Sequence, residues 1–291
     1  MSPLLLGVFA CTPDEAPATS ALTDPSAPWT VPATTAPTDV PLPDVAQGVQ
    51  DALDRAVRFD PEPVLAAYRD LAAGADAACP AFYTDGEVRY WLDQCTAGSG
   101  TTFDGYGVDL LQAYPGASVE TVGGVATVSR PGTSLALDGA VQRAVSDDGA
   151  VVTESLYVAG TFDTDHPAVA GTWVEEGVEP DLYLTRYRAG NTVLASILDG
   201  SLIGLSGPLP VVAFDQVILV DPAAGIGDCD LEPAGTVSAL GPDGRWVDLV
   251  FDPVLQDDVV VTPPGTCDGC ARAWAGPEAL GEVCFDFGAW R

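Results

Sequence analysis

From Asp44 onward the apolar positions recur at intervals of three and four. Val45, Val49, Leu53, Ala56 and Val57 do so within DVAQGVQDALDRAVRF, which is the stripe of a helix over 44–59, with Asp44 placed to cap its start. A second stripe, Val64, Leu65, Tyr68, Leu71 and Ala72, predicts a helix over 62–73 with Pro63 in its first turn. The two read as a helical hairpin that leads into CPAFYTDGEVRYWLDQC at 79–95.

Beyond Thr101 the period changes. Short β-rich runs such as ASVETVGGVATVSRP, DDGAVVTESLYVAGTF, PDLYLTRYRAGNTVLASILDGSLIGL and PVVAFDQVILVD alternate with turn residues. Asp-Gly stands at 138–139, 148–149, 199–200 and 243–244 between apolar runs, each time reading as a hairpin turn. No helix-length crossover separates the runs, so the sheet should be antiparallel. The Asp-Gly spacing is irregular, against a propeller or solenoid. About ten strands in one meander must curl, close or split into layers. The fold class is α+β, mainly β. A helical hairpin precedes a large antiparallel β-meander (curled sheet, sandwich or open barrel), which ends in a disulfide-rich C-terminal cap over 267–291 with a short strand, VCFDF. TAGSGTTFDG at 96–105 is the best internal break, which gives a helical segment over 44–100 and a β domain over 101–291.

Charge narrows the partners. The chain carries 42 acids against 11 bases, a formal charge of −31, and every base is Arg. Such a surface repels nucleic acid, whose binding needs Lys and Arg against phosphate. It suits solubility in a salty habitat, or attraction of divalent cations or a basic partner. No stretch is long and apolar enough for a spanning helix.

The seven cysteines are Cys11, Cys79, Cys95, Cys229, Cys267, Cys270 and Cys284. Cys79 and Cys95 are near neighbours and should bridge each other. The last four allow three connectivities. An odd number is awkward for an exported chain unless one cysteine has another fate, and the first residues supply one. The chain opens MSPLLLGVFACTPDEAP. Leu4–Ala10 is too short to cross a bilayer and matches a secretory h-region. Val8-Phe9-Ala10-Cys11 resembles the lipobox of bacterial lipoproteins. Phe9 is larger than the usual residue there, and no Lys or Arg precedes the run. The resemblance implies cleavage after residue 10 and lipidation of Cys11. Thr12 stands where Asp would imply inner-membrane retention, so it implies outer-membrane or surface display on the bacterial cell envelope. The following Pro/Thr/Ala-rich stretch to Pro43 cannot bury enough apolar surface to order itself, and repeated proline extends it as a tether.

Candidate chemistry is sparse. The single histidine, His166 in FDTDHPAV, excludes a two-histidine metal site, and a Ser-His-Asp arrangement would have to use it. Asp163, Asp165 and His166 are weak metal candidates, and Asp228-Cys-Asp230 and Asp257-Asp258 add hard oxygen donors for Ca2+ without an EF-hand pattern. The competing reading of His166 is a polar loop between strands. CDGC at 267–270 permits a four-thiolate zinc site with Cys229 and Cys284, but export favours disulfides, and a redox pair lacks its βαβ context. Trp91, Trp173, Tyr183 and Tyr187 offer rings for a sugar groove or for a core. No catalytic residue and no cofactor are assigned. The expected function is an exported, membrane-anchored envelope lipoprotein with a non-enzymatic binding or structural role toward a small-molecule, glycan or protein ligand. The alternatives are a secreted hydrolase acting on glycans or esters through carboxylates, and a calcium-dependent adhesion module.

Overall fold

The apolar stripes of the N-terminal segment are buried along two helices, α1 (Leu42–Val57) and α2 (Glu62–Ala72). In this computed structural model residues 41–92, 94–170, 177–256 and 259–290 are described. The signal segment, Cys11, the tether up to residue 40, Trp173 and Asp257-Asp258 lie outside them. Asp44 does not cap α1. The helix starts after Pro41, and the Asp44 N–H already donates to the Pro41 carbonyl at 2.9 Å. Its carboxylate sits in the first turn, at the positive end of the helix dipole. At α2 it is Asp60 that accepts the Glu62 N–H, at 2.9 Å.

The strands are β1 (Tyr83–Asp85), β2 (Val88–Trp91), β3 (Cys95–Thr96), β4 (Thr102–Tyr114), β5 (Ala117–Arg130), β6 (Thr133–Asp147), β7 (Val152–Thr164), β8 (Glu179–Ala189), β9 (Thr192–Ile203), β10 (Val211–Val220), β11 (Ala234–Leu240), β12 (Trp246–Phe251), β13 (Val254–Gln256), β14 (Val259–Val261), β15 (Cys270–Ala275) and β16 (Glu278–Cys284). Fourteen of them form one antiparallel sheet in nearly sequential order, with β3 pairing beside β2 on β4 and β13–β14 a separate hairpin. The sheet is open, not closed into a barrel. It has more strands than the ten expected. Strands β1 to β3 are two to four residues long, too short to show alternation, and the cysteine-rich end supplies β15 and β16.

The inner face of the sheet carries the helices. Helix α2 packs on β5 and β6, and α1 on β9, β11 and β16. One continuous core joins Leu53 and Leu65 of the helices to Phe103, Leu135, Leu156, Leu184, Leu198 and Leu249 of the strands. Gln50 holds α1 to the C-terminal segment by a reciprocal pair with the Asp286 backbone, at 2.8 and 2.9 Å.

Two of the four Asp-Gly pairs read as hairpin turns are not turns. Asp138-Gly139 lies in the middle of β6 and Asp199-Gly200 in the middle of β9, whereas 148–149 and 243–244 do lie in turns between strands. Gly139 belongs to a cross-strand row of four glycines, Gly107–Gly124–Gly139–Gly160, each opposite the next from β4 to β7. Gly160 has φ +95°, and a Cβ there would stand 2.0 Å from the Asp138 carbonyl. Gly124, Gly139 and Gly160 all have positive φ, and glycines of this kind let a broad sheet curve. Trp91 occupies the space left at Gly107.

The six cysteines after the tether form Cys79–Cys95, Cys229–Cys267 and Cys270–Cys284. The neighbours in CDGC therefore bond elsewhere, and Cys270 and Cys284 are register partners on β15 and β16.

Candidate functional site

Among the described residues the outer face of the sheet is open over β4 to β7 and holds a groove of about 730 Å³ beside the glycine row, lined at one end by Gly177 and Val178. Two cross-strand rows build it. Asp104, Thr127, Ala136 and Asp163 lie opposite one another on successive strands, and Val125, Asp138 and Thr161 line it from the next row, which Tyr106 extends onto β4 beside the groove. Tyr106 is 44% exposed and Val125 64%. Further along the face, Tyr83 and Tyr90 stack with their ring centres 5.5 Å apart. Tyr183, opposite Tyr157, is 43% exposed. Trp91 is not part of this face: it is wholly buried against Phe103.

The three weak metal candidates point to different places. Asp163 lines the groove. Asp165 accepts the Ser134 N–H at 2.5 Å and the Ser134 hydroxyl at 3.3 Å. His166 is buried in the loop after β7, where its Nδ1 accepts the Ala168 N–H at 3.2 Å. Nε2 therefore carries the proton in the neutral ring and donates to Asp70 Oδ2 at 2.9 Å. Arg130 holds the same carboxylate at 2.5 Å. The His166 hydrogen bond, with Arg130 behind it, keeps the Asp70 carboxyl below its ordinary pKa. Both ring nitrogens are engaged, and this arrangement fastens α2 to the ends of β5 and β7. Ser134 is bound to Asp165 and not to the imidazole, so the Ser-His-Asp relay geometry is not assembled around His166. Among the described residues no group of three or more His, Cys, Asp or Glu could hold a metal ion. Asp228 accepts the Thr262 N–H at 3.2 Å.

A second polar cluster is buried between α2 and β4. Asp109, 6% exposed, takes a two-pronged contact from Arg89, at 2.7 and 2.9 Å, and accepts the Tyr68 hydroxyl at 2.8 Å. Burial, then the Asp109 charge, pushes the Tyr68 phenol well above its ordinary pKa of 10.0. The folded state thus holds the phenol proton more tightly than the unfolded chain. Stability is fully present below pH 10 and is lost as pH rises above it, because only the unfolded chain then releases the proton. Asp109→Ala strands a buried hydroxyl and half of an ion pair, so we expect a loss of about 2–3 kcal/mol in denaturant unfolding. Tyr68→Phe should flatten the alkaline loss of stability, and a Tyr68→Phe profile identical to the wild-type profile above pH 10 would refute this role.

The arginines are drawn into such pairs. Arg69, Arg143 and Arg186 form a ladder with Glu62, Glu120 and Glu154 along the inner side, and Arg186 also donates to the Val57 carbonyl. Glu232, 1% exposed, accepts the Asp252 N–H at 2.7 Å and has its pKa raised by burial. Nothing in the local sequence marks these residues, because their partners are distant in the chain. Comparison with protein-family models, with curated proteins and with solved structures finds no match.

Proposed function

We propose that the protein is an exported lipoprotein of the bacterial envelope, anchored through Cys11, whose β domain has a binding or structural role rather than a catalytic one. The observation that carries this reading is the cysteine pairing. The three disulfides use every cysteine from Cys79 onward, so Cys11, at the end of the lipobox-like VFAC, has no cysteine of its own chain left to pair with. Three disulfides fit an oxidising compartment. The engaged His166 leaves neither ring nitrogen to activate a nucleophile, which supports this reading over a Ser-His-Asp hydrolase.

Growth of a bacterial host with labelled palmitate tests the anchor. The wild-type protein should take up label and sediment with membranes, and Cys11→Ser should lose the label. Equal labelling of the two, or none in either, would overturn the reading.

A further inference from the structure

We propose that the outer face, from the Tyr83–Tyr90 stack across the groove at Asp138 and Asp163, binds a neutral polysaccharide. This rests on the reading of an exported binding module and names the class of its ligand.

Side-chain placement is the first support. Every tyrosine except Tyr68 falls at an outer-face position, Tyr187 there packed against the small cluster of Ala195, Ile218 and Val220, while Phe103, Phe162 and Phe214 are buried with the core. A tyrosine ring offers an apolar face and a polar rim, which suits the C–H faces of a sugar ring edged by hydroxyls.

The groove supplies the hydrogen bonds. Its polar side chains are the carboxylates of Asp104, Asp138 and Asp163 and the hydroxyls of Thr127 and Thr161; the Thr164 hydroxyl is turned away, donating to the Ser134 carbonyl at 2.6 Å. Ionised carboxylates only accept, so the ligand must bring donors; threonine hydroxyls donate as well as accept. Sugar hydroxyls answer both needs. An ammonium group has no acceptor to offer the threonines. The groove crosses four strands, on the order of 14 Å, which fits an extended chain better than a single ion.

Charge excludes the acidic polymers. Each arginine of β2 to β8, namely Arg89, Arg130, Arg143, Arg186 and Arg188, lies at an inner-face position, so no basic residue on these strands faces the groove. A polyanion would meet only carboxylates in a chain of formal charge −31.

The test is retention of the detergent-solubilised full chain on a panel of immobilised polymers: neutral β-glucan, xylan and galactomannan, cationic chitosan, and anionic polygalacturonate. We expect retention on at least one neutral polymer, little changed by 0.5 M salt in keeping with a contact that involves no ion pair, on the order of one Debye-screened interaction or less. Tyr106→Ala and Asp138→Asn should each weaken it about tenfold, the worth of one hydrogen bond to a charged group or one ring contact, with unchanged melting temperature. Retention by no neutral polymer would overturn the proposal, as would salt-sensitive retention by chitosan alone, or variants that bind as well as wild type. Acyl mass measured on the same preparation separates the two readings. A lipidated protein that binds no polymer loses only the ligand assignment, and an unlipidated protein that binds one loses only the anchor.

Discussion

Gly160→Val should cost on the order of 5 kcal/mol, combining forbidden backbone geometry with overpacking. At φ +95° an L side chain is strained, and its Cβ would lie 2.0 Å from the Asp138 carbonyl and 2.7 Å from the Gly139 Cα. Both atoms are backbone of the neighbouring strand, so no rotamer change relieves the clash. The melting temperature should fall by on the order of 10–20 °C, or the chain should fail to accumulate folded. Gly149→Asn is the control. Gly149 has φ +89° in the β6–β7 turn with nothing within 4 Å of its Cβ, and Asn tolerates such backbone better than most residues. A loss of about 1 kcal/mol is expected there. Similar losses at the two positions, by thermal unfolding, would refute the row of glycines as the place where the sheet must kink.

The Cys229→Ala/Cys267→Ala double variant should lose about 4 kcal/mol, from the chain-entropy cost of freeing a loop of 38 residues. Cys270→Ala/Cys284→Ala frees a loop of 14 residues and should lose about 3 kcal/mol. That loop is also closed by the β15–β16 ladder, whereas Cys229 sits fully buried before β11 in a region of turns. Urea unfolding of both variants checks the order. A larger loss for the shorter loop would show that native-state strain or packing, not loop closure, sets the contribution.

Much of the architecture is legible because it is local. The stripes of α1 and α2 show the 3.6 period, and long strands such as β5 to β7 show the alternation and intervening turns of a meander. The Asp-Gly pairs mark the limit of that grammar. The dipeptide favours positive φ wherever it stands, and only the register of neighbouring strands distinguishes the turn at Gly149 from the kink at Gly139. The bonding of Cys270 to Cys284 is set by their opposition across β15 and β16, and a bulge at Ala273–Trp274 fixes that register. Spacing does not reveal it. His166 is conspicuous in the sequence as the lone histidine, yet its partner Asp70 lies 96 residues away on α2. The Asp109 cluster was illegible for the same reason. The acidic groove was invisible as a site, since Asp104, Asp138 and Asp163 meet only through the pairing of four strands.

Intact mass of the protein produced in a bacterial host, with and without thiol alkylation under denaturing conditions, tests the central claim most directly. The account predicts a mature chain beginning at Cys11, carrying acyl mass and taking up no alkylating agent until it is reduced. An unprocessed chain beginning at Met1 with several alkylatable thiols would contradict both the export and the disulfides on which it rests.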